Sequence, residues 1–339
     1  MNFFGLDIGT NSIKVVQLNK ESKGYRLVAF GYSPSPPKGL ASESAVDLEI
    51  LAESVKKLIK DAKITTNNVA IALSETQVYT RVITTPPLSE DELSSAIKWE
   101  AEQYIPLPLS DVRLDYQIIS MPEKNIPGAK AEVLLVAAPL STVNKYVKLL
   151  ELANVKPALI ETEIISVARA LVPPSSPTTL LVDIGANTTE IAVVRSGTLS
   201  FTRSIATGGN ALARAVATDL GLEIGQAEEY KKSYGLDESK LSGKVTGAIK
   251  PIFDVIVGEM KRGISFYQKE KSDTVVRAVL TGGTSRLPGV VTYLAEVLGI
   301  EVIVGDPWSQ VSMTDQERNS LSLDGTLFST AVGLAMKNI

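Results

Sequence analysis

One short motif occurs twice in the chain, and it constrains the fold more than any other feature. Asp7-Ile8-Gly9-Thr10-Asn11-Ser12 returns 176 residues later as Asp183-Ile184-Gly185-Ala186-Asn187-Thr188. Each copy lies between two apolar runs of strand length, a pattern typical of a β-hairpin. Because the offset is about half of the 339 residues, the sequence predicts two halves that each open with a hairpin.

The two hairpin turns have the residue types of an anion cradle. Glycine and asparagine tolerate positive φ, so such a turn can aim several backbone N–H groups at one phosphate. The aspartate that ends each first strand is well placed to hold a hydrated Mg²⁺ beside those phosphates. An ordinary strand-to-turn transition is the alternative. The candidate phosphate residues are Gly9, Thr10, Asn11, Ser12, Gly185, Ala186, Asn187 and Thr188, and the candidate metal residues are Asp7 and Asp183.

The composition excludes several kinds of catalytic site. The chain has neither cysteine nor histidine, so thiol nucleophiles, His general bases and His-ligated zinc are ruled out. Carboxylates, basic side chains, hydroxyls and a hard cation remain, and these suit a Mg-nucleotide protein. A net charge of −4 gives no electrostatic argument for nucleic acid as a partner. No apolar run reaches the length of a membrane span, so we expect no insertion into a membrane.

Hydrophobic periodicity predicts alternating strands and helices in both halves. The expected class is α/β, with helices packed on the faces of mixed sheets. Ser89 and Glu92 have the spacing of a capping box, which predicts a helix from there to Tyr104. Lys231 and Lys232, flanked by acidic residues, are expected on the solvated face of another helix.

Two further glycine pairs are candidates for nucleotide contact. Gly282-Gly283 follows an apolar strand, so its backbone can approach a phosphate or a ribose closely. Arg286, three residues later, can lie flat over a purine. Gly208-Gly209 stands at a predicted helix N-terminus, where an anion is stabilised. A common turn is the alternative for the first pair.

Three charged side chains complete the predicted site. Lys14 can reach a phosphate as a point charge, whereas an exposed strand lysine is the alternative. The second copy of the motif has Glu190 in that place. Glu259 and Arg262 lie three residues apart on one helix face. They could bond to a ribose and an adenine edge, or they could form a surface ion pair.

The order of these motifs resembles that of the actin-like ATPase superfamily. Its members include actin, the bacterial filament protein MreB, sugar kinases and the seventy-kilodalton heat-shock chaperones. Within that superfamily, the segment 96–108 (AIKWEAEQYIPLP), followed by Leu114-Asp115-Tyr116, resembles the PilM family of type IV pilus assembly.

The resemblance implies a two-lobed actin-like ATPase fold, in which a mixed sheet flanked by helices is duplicated and a small α/β subdomain is inserted in the first lobe. The implied divisions are 1–82 for the first lobe, 83–156 for the insert, 157–178 for a connecting helix of the first lobe, 179–326 for the second lobe, and 327–339 for a terminal helix that returns to the first lobe.

The resemblance also implies ligands and partners. ATP with Mg²⁺ would lie between the lobes, and a groove between the insert and the first lobe would receive the N-terminal cytoplasmic peptide of PilN, an inner-membrane protein. Other platform proteins, pilus motor ATPases and a second copy of the chain are further candidate partners. The location implied is cytoplasmic, at the inner membrane by recruitment. The candidate groove residues are Trp99, Tyr104, Ile105 and Pro106, with insert core and helix cap as the alternative.

Hydrolysis of ATP is expected to be slow at most. Fast relatives place a Gln or Glu before the second hairpin to orient water, and Glu161 and Glu163 are the two candidates here. One alternative is an FtsA-like division protein, but such proteins usually carry a C-terminal amphipathic anchor, and we expect none after the terminal helix. A small-molecule kinase is the other alternative, although no motif for its catalytic aspartate is evident.

Overall fold

The computed structural model describes residues 2–122, 129–271, 273–321 and 324–337, and within them strands and helices alternate as predicted. The strands are β1 (Phe4–Ile8), β2 (Ser12–Lys20), β3 (Tyr25–Pro34), β4 (Asn68–Leu73), β5 (Tyr79–Thr85), β6 (Val112–Ser120), β7 (Ala131–Pro139), β8 (Lys156–Thr162), β9 (Thr179–Ile184), β10 (Thr189–Arg195), β11 (Thr198–Ile205), β12 (Arg277–Thr281), β13 (Glu301–Val304) and β14 (Val311–Ser312). The α-helices are α1 (Ala45–Asp61), α2 (Glu90–Tyr104), α3 (Leu140–Leu152), α4 (Glu163–Leu171), α5 (Gly209–Leu220), α6 (Ile224–Tyr234), α7 (Lys244–Lys271), α8 (Val290–Leu298), α9 (Asp315–Leu321) and α10 (Ser329–Ala335).

The repeated hairpins begin two similar sheets. The first sheet has the order β14-β3-β2-β1-β4-β8, and the second has the order β11-β10-β9-β12-β13. In each, three antiparallel strands from the repeat are continued by parallel strands. The predicted duplication of a mixed sheet is therefore confirmed.

The two sheets share one inner core. Helices α1 and α3 cover the outer face of the first sheet, and α5 to α8 cover the outer face of the second. Between the inner faces lie α4 and α10, whose side chains join residues of both sheets in one apolar cluster. Because both lobes pack on this pair of helices, burial of the cluster connects the lobes.

Helix α10 crosses β1 and α4 at backbone contact. A Cβ on Gly5 would overlap the carbonyl oxygen of Ala331, and a Cβ on Gly333 would overlap that of Ser166. Arg169 of α4 reinforces this crossing, since its guanidinium donates to the Gly333 carbonyl at 2.7 Å. Glycine is required at positions 5 and 333 because no side chain fits.

A third, smaller sheet forms a separate layer. Its order is β5-β7-β6, and α2 packs on one face through Leu93, Ile97 and Ala101. The predicted capping box at Ser89 and Glu92 is present at the start of α2. On the other face Leu134 joins the inner core of the lobes. This sheet is the candidate insert, and it extends from β5 to β7.

The borders of the insert at 83 and 156 stay a prediction. The small sheet already begins at Tyr79, and α3, which follows it, packs Tyr146 and Leu149 into the core of the first lobe. The small sheet also contacts the second lobe, because Lys271 at the end of α7 donates to Glu132 of β7 at 2.5 Å. The insert therefore contacts both lobes.

The sequence pattern does not predict three of the elements, β6, β14 and α9. β6 follows a Pro-rich stretch, and its residues 114–116 are part of the motif that resembles the family. β14 has two residues and α9 has seven, which is too short for a periodic signal. Within the described ranges, no helix is long and apolar enough to cross a bilayer.

Candidate functional site

The two hairpins place their aspartates at equivalent positions on neighbouring sheets. Asp7 lies opposite Lys14 across β1 and β2, and Asp183 lies opposite Glu190 across β9 and β10. The Lys14 ammonium donates to Asp7 Oδ2 at 2.9 Å, and both residues are buried. The structure therefore excludes an exposed strand lysine, and it pairs Lys14 with the predicted metal residue Asp7.

The two hairpin turns meet across the space between the lobes. The side-chain amide of Asn187 donates to the Thr10 hydroxyl at 3.4 Å, and Asn210 of α5 donates to Asn187 Oδ1 at 2.9 Å. Residues of the two copies, far apart in sequence, thus lie at hydrogen-bonding distance. Of the remaining predicted residues, Gly9, Asn11, Gly185, Ala186 and Thr188 lie in the same two turns. Ser12 directly follows the first turn as the first residue of β2.

The start of α5 is fixed against the second turn. The N–H groups of Gly209 and Asn210 donate to the carbonyls of Gly185 and Ala186 at 2.9 and 2.8 Å. A Cβ on Gly208 would lie 2.6 Å from the Gly185 carbonyl oxygen. The predicted Gly208-Gly209 pair is therefore brought beside the second hairpin turn by close backbone packing.

The third glycine turn, Gly282-Gly283, lies beside Asp183. Gly282 has φ +80°, and a Cβ there would overlap the Asp183 carboxylate. This position thus requires glycine on two grounds, the left-handed backbone and the close approach. Gly283 and Arg286 follow in one short helical turn, with both residues exposed. Arg286, Asp306, Trp308, Arg318 and Thr326 help to line a cavity of about 550 Å³ behind this turn.

The prediction that Lys231 is solvated is wrong. Lys231 is only 5% exposed, and its ammonium donates to the Gly209 carbonyl at 3.1 Å and to Glu228 at 2.7 Å. Lys231 stands one helical turn after Ala227 on the buried face of α6, but a lysine beside acidic residues is typical of a solvated helix face. Lys231 and Glu228 are therefore site candidates that the sequence analysis missed.

Glu259 and Arg262 are not brought to Asp183. Glu259 accepts from Arg262 and pairs with Arg203 of β11 at 2.5 Å. Arg203 lies opposite Ile191, whose face of the sheet packs on α7, whereas Asp183 and Glu190 project from the other face. The pair lies on the outer face of the second sheet, as an ion pair.

The two candidate glutamates have different surroundings. Glu161 accepts two bonds from Arg169, at 2.6 and 2.7 Å, in a bidentate ion pair. Glu163, at the start of α4, forms no such ion pair with any of the described residues. Burial, followed by the negative charges of Asp7 and Asp183, raises the pKa of Glu163 well above its usual range. Of the two, Glu163 is the one close to both aspartates.

The electrostatics of the cleft favour a cation. Burial, together with the charge of Asp7, raises the pKa of Asp183 to about 6, although Lys14 opposes this shift. Among the described residues there is no cluster of three or more His, Cys, Asp or Glu side chains that could ligate a metal. Two carboxylates are nevertheless enough for Mg²⁺ that is also held by water and phosphates. Asp7 and Asp183 fit that role.

A groove lies between the insert and the second lobe. Its cavity of about 280 Å³ is bordered by β5 and β11, which are edge strands of their sheets. The Arg81 guanidinium lies 3.8 Å over the ring of Tyr104, and Ile105 is a further wall. Trp99, 64% exposed on α2, and Pro106 are outside the lining. Of the four predicted groove residues, Tyr104 and Ile105 line this groove, which lies against the second lobe, whereas the predicted groove lies against the first.

A family model described as type IV pilus assembly protein PilM matches residues 5–339. The chain belongs to the PilM family. A chain of the PilM–PilN type IV pilus biogenesis complex is 28% identical to it, with a TM-score of 0.85, over 99% of this chain and 98% of that one. The predicted family and the actin-like fold are thereby confirmed for this PilM family member.

More distant relatives share the fold of the PilM family. Cell division protein FtsA of Neisseria meningitidis is 22% identical over 97% of this chain and 88% of its own length. MreB5 of Spiroplasma citri bound to AMPPNP is 13% identical, with a TM-score of 0.54, over 98% and 94% of the two chains. Both lie in the actin-like superfamily, which the order of the motifs in this chain resembles.

Proposed function

We propose that this PilM family member is a cytoplasmic, ATP-binding adaptor of the inner-membrane platform of a type IV pilus or a related secretion or DNA-uptake machine. It binds Mg-ATP between its lobes and the N-terminal cytoplasmic peptide of a PilN-like membrane protein in the groove beside the insert. Recruitment by that peptide brings it to the inner membrane.

The nucleotide part of this proposal is supported by the meeting of the two hairpin turns, at the 3.4 Å contact between Asn187 and Thr10. Backbone N–H groups of the turns would hold the phosphates, and Asp7 and Asp183 would hold Mg²⁺ through water. Bound Mg²⁺ supplies charge neutralisation at the phosphates. The fold it shares with an AMPPNP-bound MreB is compatible with this site.

Slow turnover at most is part of the proposal. Glu161 is occupied by Arg169, which leaves Glu163 to orient a water. Its surroundings disfavour the ionised carboxylate, as the raised pKa indicates, so a smaller fraction of Glu163 is in the form that can accept a proton from that water. Nucleotide then acts chiefly as a ligand of the closed lobes.

The observation that supports the adaptor function is that the two walls of the groove come from different parts of the molecule. Tyr104 and Ile105 come from the insert, whereas Thr202 and Ser204 come from β11 of the second lobe. Any change in the angle between the lobes therefore changes the width of the groove. A ligand that binds the closed lobes more tightly changes the affinity for the peptide. The peptide then changes the affinity for that ligand by the same coupling free energy. The 28% identical chain from a PilM–PilN complex supports this partner class.

The test is a titration with the N-terminal peptide of the PilN-like protein encoded with this chain, with and without Mg-ATP. We expect the peptide affinity to change about 5–150-fold on addition of Mg-ATP, the usual range of allosteric coupling. Tyr104→Ala should weaken binding in both conditions, and a scrambled peptide should not bind. Equal affinity with and without Mg-ATP would contradict the coupling, and absence of peptide binding would contradict the adaptor function.

A further inference from the structure

The first hairpin turn is held from outside by the segment that follows β3. The sequence there is Ser-Pro-Ser-Pro-Pro-Lys-Gly, at residues 33–39. Ser35 stands directly after β3, and its hydroxyl donates to the Gly9 carbonyl at 2.7 Å. The backbone N–H of Ser35 donates to the Asn11 carbonyl at 3.1 Å. One serine therefore holds two carbonyls of the turn that is the candidate phosphate cradle.

The neighbouring prolines restrict the backbone around Ser35. Pro34 and Pro36 have a fixed φ and no N–H, and a residue that precedes a proline is confined to extended conformations. Ser33 and Ser35 each precede a proline. Because Ser35 has few conformations to lose, its two bonds to the turn cost little conformational entropy.

A bond to a peptide carbonyl also orients the N–H of the same peptide unit. The peptide plane is rigid and trans, so its C=O and its N–H point in opposite directions. The Gly9 carbonyl shares its plane with the Thr10 N–H, which therefore points away from Ser35. This N–H makes no hydrogen bond to any described residue, and the Thr10 hydroxyl lies 3.4 Å from the side-chain amide of Asn187 in the second lobe. The Thr10 N–H is thus available to an anion at the boundary between the lobes.

The second hairpin turn has the same arrangement with different donors. The Gly185 and Ala186 carbonyls accept from the backbone N–H groups of Gly209 and Asn210 at the start of α5. Gly185 is the equivalent of Gly9, 176 residues later. In both lobes, a donor outside the turn thus fixes the carbonyl of this glycine. In the first lobe that donor is a side chain, so a substitution can remove it.

We propose that Ser35 is a positioning residue of the nucleotide site, which orients the Thr10 N–H toward a phosphate of Mg-ATP without touching the nucleotide. The inference rests on the proposed nucleotide function and adds a residue that lies outside both hairpin motifs. Preorganised N–H groups bind an anion more tightly than mobile ones, because no reorganisation has to accompany binding. Loss of the Ser35 hydroxyl leaves the Gly9 carbonyl without this donor and the Thr10 N–H less firmly oriented. Adenosine has no phosphate, so its affinity should not depend on Ser35.

The test is isothermal titration calorimetry of the whole chain with Mg-ATP and, in separate titrations, with adenosine. We expect Ser35→Ala to bind Mg-ATP about threefold to tenfold more weakly, the equivalent of one hydrogen bond, and to bind adenosine as the wild type does. Ser35→Thr keeps a hydroxyl and should bind Mg-ATP nearly as well as the wild type. Ser33→Ala is the matched control, because Ser33 also precedes a proline and its hydroxyl oxygen has no hydrogen-bond partner among the described residues. Its affinity for Mg-ATP should be unchanged.

The titrations distinguish this inference from the proposed function. Binding of Mg-ATP by the wild type, with the same affinity in Ser35→Ala, would overturn the role of Ser35 and leave the nucleotide site intact. An equal loss for Mg-ATP and adenosine, or an equal loss in Ser33→Ala, would show a general structural effect and would also overturn that role. Absence of Mg-ATP binding by the wild type would contradict the nucleotide function and this inference with it. Urea unfolding without nucleotide checks that each variant is folded under the conditions of the titrations.

Discussion

Lys14 and Glu190 occupy equivalent positions in the two hairpins, each directly across a strand pair from the aspartate of its turn, yet their charges are opposite. Lys14 neutralises Asp7 at 2.9 Å. Glu190 instead adds a second acid beside Asp183. The duplicated motif is thus asymmetric in charge, with a balanced pair in the first lobe and a surplus of negative charge in the second.

Substitutions at these two positions should change stability in opposite directions. Lys14→Met leaves Asp7 buried without its partner, which costs about 3–5 kcal/mol for broken buried ion pairs. Glu190→Gln removes a buried like charge and should stabilise the cation-free protein. Urea unfolding of both variants in the presence of EDTA measures the two changes. A loss of stability in Glu190→Gln would show that its charge is compensated in the folded state.

Stability should fall as the pH rises from about 4.5 to 8 in the absence of divalent cations. The folded-state pKa values of Glu190 and Asp183, about 8 and about 6, lie above their ordinary values of 4.5 and 3.8. The folded protein therefore binds these protons more tightly than the unfolded chain, and that advantage disappears above the folded pKa. Thermal unfolding between pH 5 and pH 8.5 checks this, and the decline should be shallower in Glu190→Gln. Parallel curves for the two proteins would contradict the assignment.

Closeness of α10 to α4 should make Gly333 intolerant of a methyl group. Gly333→Ala forces a Cβ into the Ser166 carbonyl, and overpacking of this kind costs about 1–3 kcal/mol or more. Gly225→Ala is the matched control, because no described atom lies within 4 Å of the Cβ position there. It should be neutral or stabilising by up to about 1 kcal/mol. Chemical denaturation of both variants compares them, and equal effects would show that the crossing can relax.

Substitution of Glu161 should lower the stability of the protein, whereas substitution of Glu163 should lower ATP turnover in the cleft. Glu161→Gln weakens the bidentate pair with Arg169 and should lower stability by about 1–3 kcal/mol, with any ATP turnover of the folded fraction unchanged. Glu163→Gln should remove residual turnover without that loss, since it relieves a buried charge. Phosphate release and thermal unfolding, measured on the same preparations, distinguish the two. The opposite pattern would assign the water to Glu161.

The sequence predicted the parts of the molecule that depend on local pattern. The hairpin repeat, the capping box of Ser89 and the periodic helices all follow from spacing along the chain. Burial of Lys231 did not, because its partner is the carbonyl of Gly209, 22 residues away. The placement of Glu259 on the outer face depends on which face of the second sheet α7 covers, and its pairing with Arg203 of β11 reveals that face. Local patterns therefore could not predict the contacts that charged side chains make with residues distant in the sequence.

The most direct test of the nucleotide cleft is isothermal titration calorimetry with Mg-ATP on the wild type, Asp7→Asn, Asp183→Asn and Glu259→Gln. We predict binding by the wild type, a loss of more than about tenfold in affinity for each aspartate variant, and unchanged binding by Glu259→Gln on the outer face. Absence of binding by the wild type, or wild-type affinity in Asp183→Asn, would contradict the account.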